Sequence, residues 1–210
     1  MRYVIVGYGK FGKLALERLS GLSDRHDILV IDRDAEVFSR GIAGDARWIV
    51  ADAVSFLAHS ERITPEDVIV PMVPFNLAAS YVLARSSDMR LIPMPAEIIG
   101  MLPNRFPVDG SNLCCSRADF ICPDDCPEGE VCTVTGEPRE PLFAEIQQMS
   151  VPGFEVLVLR SFQIAAGVGG YPFSSLLELK RRVSRGRYLI VTSCKCHAIV
   201  TAVRRGQDER

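Results

Sequence analysis

A doubly wound, Rossmann-like α/β fold with a cysteine-rich loop insertion is predicted by three features of the 210-residue sequence. Tyr3–Val6, a short β-branched apolar run, leads directly into Gly7-x-Gly9-x-x-Gly12, and such a run reads as a buried parallel strand. Strand-like and helix-like segments then alternate, the pattern of a parallel sheet covered on both faces. Between residues 103 and 140 the alternation stops, and prolines, glycines and cysteines take over.

The opening unit, Gly7-Tyr8-Gly9-Lys10-Phe11-Gly12, has a mechanical reason for each glycine. Gly7 permits the tight turn out of the strand, Gly9 lets a diphosphate approach the backbone, and Gly12 lets the next helix pack closely on the strand. Leu14, Ala15, Leu16 and Leu19 give that helix an apolar face. Its N-terminus offers unpaired N–H groups and the positive dipole end to an anion. A second strand, Asp27–Asp32, ends in an acid 20 residues after Gly12, placed to accept hydrogen bonds from the adenosine ribose. A carboxylate there repels a 2′-phosphate, so NAD(H) is favoured over NADP(H). Arg33 beside it weakens that preference a little.

A short helix is expected over Ala35–Arg40, a third strand over Ala46–Asp52, a helix over Ala53–His59 and a fourth strand over Asp67–Pro71. The loop Pro71-Met-Val-Pro74-Phe-Asn76 follows, where the nicotinamide half of a dinucleotide lies. Asn76 suits either a ribose or carboxamide contact or the N-cap of the helix Leu77–Arg85, the commoner role of asparagine. Met89–Pro93 reads as a fifth strand.

The turn Gly7–Gly12, Asp32, and Ala51-Asp52-Ala53 after the third strand together resemble the nucleotide-binding domain of potassium-transport regulators, the regulator-of-conductance or TrkA N-terminal type. The resemblance covers roughly the first 95 residues. It implies an NAD(H)-binding Rossmann fold with Asp32 on the ribose and Asp52 near the adenine. The family's small C-terminal ligand domain is not recognisable, and a cysteine-rich segment stands in its place.

That segment, with prolines and glycines from Pro103 to Pro141, precludes a long helix or strand. A loop of such length needs a staple or a job. Cys122, Cys126 and Cys132 offer three thiolates on one proline-stiffened loop. Cys194 and Cys196 follow a later strand and are expected at the carboxyl edge of the same sheet, where cofactors bind. A four-sulfur metal site results, with Cys196 as fourth ligand and Cys194 and Cys115 as alternates. Three cysteines on one loop plus a remote fourth suit an iron–sulfur cluster; zinc is the alternative. Cys114 reads as a packing residue.

Regular structure resumes with a helix over Pro141–Met149, a strand over Phe154–Arg160, a glycine loop Gly167–Gly170, a helix over Ser174–Arg185, a strand over Arg187–Thr192 and a final helix or strand over His197–Arg205. The expected organisation is one Rossmann-like domain: 1–102 dinucleotide-binding, 103–140 insertion, 141–205 completing α/β elements, 206–210 a polar tail.

A hydrophobic content of 48% supports a large core, and a net charge of −2 lacks the basic footprint of a nucleic-acid binder. No apolar run reaches the length of a membrane span, and a cytoplasmic location is expected, where thiols stay reduced. No Ser/His/Asp arrangement, Walker loop or metalloprotease helix is present. Two functions follow. One is an NAD(H)-binding regulator or redox sensor, a homo-oligomer partnered with a membrane transporter or redox protein. The other is an NAD(H)-dependent oxidoreductase passing electrons to an Fe–S centre.

Overall fold

The computed structural model describes residues 1–23, 26–39 and 44–206. Its first portion runs β1 (Arg2–Val6), α1 (Lys10–Ser20), β2 (Asp27–Asp32), a 3-10 turn (Ala35–Phe38), β3 (Arg47–Val50), α2 (Ala53–His59), β4 (Val68–Pro71) and α3 (Leu77–Ala84). The middle contributes β5 (Met89–Leu91), α4 (Ala96–Met101), β6 (Phe106–Pro107), β7 (Asn112–Ser116) and α5 (Leu142–Gln148). The last portion is β8 (Glu155–Arg160), β9 (Phe162–Ala165), β10 (Val168–Pro172), α6 (Phe173–Arg182), β11 (Gly186–Ser193) and β12 (His197–Arg205). Residues 207–210 of the expected tail, and the end of the helix expected at Arg40, lie outside the described residues.

The fold is Rossmann-like α/β, and its strands divide between two sheets. One has the order β3-β2-β1-β4-β10-β9. Its first four strands are parallel, with β1 between β2 and β4, so the strand order reverses at β1/β4 and opens a crevice at their carboxyl ends. The other sheet has the order β6-β7-β12-β11-β8, with β5 also on β12.

Burial explains the layering. Along β1, Tyr3 and Ile5 pack outward with Ala15, Leu16 and Leu19 of α1. Val4 and Val6 pack inward with Leu77, Ala78, Tyr81 and Val82 of α3, and the same core takes in Leu157 and Ile190 of the second sheet. A helix apolar on nearly every side, as Leu77-Ala-Ala-Ser-Tyr-Val-Leu-Ala84 is, must be buried between layers. The far face of the second sheet is covered by Ile98 of α4 and Leu142 and Ile146 of α5.

Four expectations change. Met89–Leu91 does not extend the parallel sheet; it pairs antiparallel with β12, Leu91 opposite Val203. Having passed through the middle layer in α3, the chain emerges beside the second sheet. The 103–140 segment holds a five-residue strand, β7, antiparallel to β12. Gly167–Gly170 is no strand-to-helix loop but the turn and start of an antiparallel hairpin, β9–β10. Its glycines allow close approach: a Cβ on Gly170 would fall 2.5 Å from the Ile69 carbonyl of β4. Cys194 and Cys196 follow β11 as expected, but β11 belongs to the second sheet.

The chain therefore leaves the second sheet after β8, adds β9–β10 to the first, and returns through α6 to β11.

Candidate functional site

The carboxyl end of β1 has the form its glycines predict. Gly7 adopts φ +93°, and a Cβ there would meet the Met72 carbonyl at 2.6 Å. A Cβ on Gly12 would lie 2.0 Å from the Gly7 carbonyl oxygen, which fixes how closely α1 rests on β1. Gly9 is different: nothing lies within 4 Å of an added Cβ. The open space sits at the N-cap of α1 (Gly9 itself), where the first amides of the helix lack intrahelical acceptors. A diphosphate has room to reach them. Lys10 and Phe11 are exposed on the first turn.

Asp32 stands at the tip of β2. Its Oδ2 accepts the Tyr8 N–H at 2.6 Å and its Oδ1 the Asp34 N–H at 2.9 Å. A carboxylate has about four acceptor positions, so both oxygens keep capacity for ribose hydroxyls. Beside this tip Tyr8, Phe38 and Trp48 stack in sequence, with ring centroids 5.4 and 6.0 Å apart. Arg33 is exposed. Asp52 is exposed and caps α2 by accepting the Ser55 N–H at 2.8 Å, and Ala53 opens that helix.

Asn76 is committed elsewhere. It is 2% exposed. Its Oδ1 accepts the Ala79 N–H and the Thr192 hydroxyl, and its Nδ2 donates to the Ile190 and Ile199 carbonyls. With both donors and both lone pairs engaged, Asn76 caps α3 and ties it to the second sheet, leaving nothing for a nicotinamide ribose. Pro74 is exposed in the loop after β4.

A cleft of about 1320 Å³ opens beside that loop. Met72, Val73, Pro74 and Phe75 line it, as do Cys122, Cys126, Cys132, Cys194, Cys196 and His197. The loop expected to hold the nicotinamide thus shares a cavity with all seven cysteines, and all seven are free.

Arg139 organises the thiols. Its Nη2 donates to Cys126 Sγ at 3.3 Å, and it also hydrogen-bonds Cys132. Its charge acts on Cys122 and Cys196. Cys132 Sγ receives the backbone N–H groups of Thr135 and Val134 and the Thr135 hydroxyl, which pull its thiol down to about 7. It is therefore about half thiolate at neutral pH, and increasingly so as the pH rises. Burial instead raises Cys122 and Cys196, and burial with the nearby Glu128 carboxylate pushes Cys194 up to about 12. Burial lowers His197 and so favours its neutral imidazole, against the opposing pull of the Glu128 carboxylate. The imidazole lies between two sulfurs, Nε2 3.7 Å from Cys122 and Nδ1 3.7 Å from Cys194.

Cys115 is the packing cysteine, 2% exposed in the second core, and Cys114 is the half-buried one. The reversal follows from β7, whose successive side chains face opposite sides of the sheet. Among the described residues, no three His, Cys, Asp or Glu side chains stand at the spacing of a metal site; guanidinium nitrogens of Arg139 lie among the thiols instead.

The cysteine loop is fastened to the first sheet. Arg18 of α1 donates to the carbonyls of Asp124 and Ala166, and Cys126 O accepts from the Gly167 N–H and from Gln163 Nε2. The loop acids find cations: Asp124 pairs with Lys10, and Glu130 with Lys195. Arg139, Arg18 and Gln163 escape sequence reasoning because each becomes informative only through partners distant along the chain.

Comparison with known proteins divides the chain between α2 and β4, within the first sheet. The TrkA-N domain model matches residues 3–60, from β1 as far as α2. The AF_1314_C family model, described as "Uncharacterized protein, C-terminal domain", matches residues 63–206. An "Uncharacterized protein" of Archaeoglobus fulgidus is 27% identical over 96% of this chain and 99% of its own length. No solved structure matches the chain. No helix among the described residues is long and apolar enough to cross a membrane.

Proposed function

Because the chain belongs to the AF_1314_C family and opens with a TrkA-N domain, we propose that it is an NAD(H)-binding regulatory or redox-sensing protein related to potassium-transport regulators. The observation that carries this reading is the shared cleft, in which the loop after β4 and the thiols around Arg139 face one space. The diphosphate rests against Gly9 and the first amides of α1, Asp32 holds the adenosine ribose, and Asp52 and Ala53 lie toward the adenine. The nicotinamide passes Met72–Phe75 into the cleft. Nucleotide occupancy is then read out at a subunit contact in a cytoplasmic homo-oligomer, or passed to a membrane transporter.

In this reading Cys122, Cys126, Cys132 and Cys196 hold an iron–sulfur cluster, with zinc as the alternative. Support comes from the chemistry of the donors. Three thiols lie on one loop and the fourth on the β11–β12 turn, and Cys196 feels the charge of Cys122 and Cys126. Elemental and sulfide analysis of anaerobically purified protein is expected to show iron with matching labile sulfide. Zinc selects the alternative, and metal-free active protein removes the centre.

The shared cleft also supports the second reading, an oxidoreductase passing electrons from NADH to the cluster. A hydride donor and a one-electron centre ordinarily need a flavin between them, so the sensor reading is preferred. Bleaching of an iron–sulfur spectrum by NADH would reverse that order.

Asp32→Ala tests the dinucleotide assignment. It removes hydrogen bonds to a charged acceptor, each on the order of 1.5–3 kcal/mol. Calorimetry is expected to show NADH affinity reduced at least tenfold, and an unchanged affinity refutes the placement.

A further inference from the structure

Tyr171 lies on β10 opposite Ile69 of β4. It is 1% exposed, one of the largest fully buried side chains, and its ring packs in the core between the two sheets. Buried tyrosine hydroxyls normally find a hydrogen-bond partner. This one has none among the described residues. A buried polar group left unpaired is destabilising, and such a group in a native fold calls for an explanation.

Its place in the fold supplies one. Tyr171 lines the same cleft as Met72, Val73 and Phe75. Thr192, which also lines the cleft, has its hydroxyl committed to Asn76 Oδ1 at 3.1 Å. Burial raises the Tyr171 phenol far above its ordinary range, which keeps the O–H as a donor at any physiological pH.

We propose that Tyr171 is a positioning residue whose hydroxyl hydrogen-bonds the carboxamide of a bound nicotinamide ring. This rests on the NAD(H) reading above and goes further, since it assigns the part of the cleft beside Tyr171 to the nicotinamide half. The carboxamide offers a carbonyl acceptor and an NH₂ donor, and a hydroxyl pairs with either. The bond fixes the rotation of the ring in the cleft and favours the complete dinucleotide over a fragment that lacks the ring.

Tyr171→Phe, which keeps the ring and deletes the orphan oxygen, tests this with NADH and ADP-ribose as paired probes. Wild-type protein is expected to bind NADH more tightly than ADP-ribose. In Tyr171→Phe, NADH affinity is expected to fall about tenfold while ADP-ribose affinity stays within about twofold, the size of one hydrogen bond lost. The thermal midpoint of the unliganded variant should stay level or rise, because phenylalanine leaves nothing unpaired. The proposal is overturned by unchanged NADH affinity in the variant, by equal wild-type affinity for the two probes, or by a lowered unliganded midpoint. Wild-type protein that binds neither probe refutes the dinucleotide reading itself. Binding of ADP-ribose alone keeps the adenosine half and refutes only the nicotinamide placement.

Discussion

Gly12→Ala is expected to destabilise the protein by about 3 kcal/mol, the upper part of the usual overpacking range, and to abolish NADH binding. The sign runs against helix propensity, since alanine inside a helix is ordinarily better than glycine by roughly 1 kcal/mol. Here the new methyl would lie 2.0 Å from the Gly7 carbonyl oxygen and 2.9 Å from its carbon. Both are backbone atoms, and no rotamer change can move them. Helix α1 would have to lift from β1, loosening Ala15, Leu16 and Leu19 from Tyr3 and Ile5. The same lift moves the Gly9 amides away from the proposed diphosphate position. Urea denaturation gives the stability change, and calorimetry on the folded fraction gives the affinity. A variant more stable than wild type would show that helix and strand are not in the close contact described.

Asn76→Ala is expected to cost on the order of 3–5 kcal/mol, in the range of breaking a buried hydrogen-bond network. Four bonds disappear, and the Ala79 N–H, the Thr192 hydroxyl and the Ile190 carbonyl are left facing a small apolar side chain. Asn76→Asp should restore the cap yet remain strongly destabilised, because a carboxylate would then face the Ile190 and Ile199 carbonyls. Whatever protein stays folded should bind NADH within about twofold of wild type, since the lost bonds are all internal to the fold. A large affinity loss with little loss of stability would instead place Asn76 at the ligand.

The glycine turn and the crevice at the end of β1 were legible in the sequence because their signals are local. Gly7, Gly9, Gly12 and Asp32 are spaced by the geometry of one strand, one turn and one helix. The sorting of strands into two sheets was not legible. Met89–Leu91 looks the same whether its partner is β4 or β12, and only pairing with Val203 decides it. Gly167, Gly169 and Gly170 gave a loop signal, although in a strand glycine also serves close backbone approach, as Gly170 does against Ile69. The thiol loop was visible through its cysteines. Arg139, set among prolines and glutamates, gave no sign that its guanidinium would lie among sulfurs.

The excursion of the chain from β8 through β9–β10 and back along α6 bears on how such proteins can be recombined. A fragment stopping after α4 would encode four parallel strands whose β4 margin is bare, and bare margins recruit foreign strands. The nucleotide portion is not a cassette that can be cut out at the boundary between the two family matches. Any chimera that borrows it must also borrow the distant hairpin Phe162–Pro172, or supply another ribbon to seal that side.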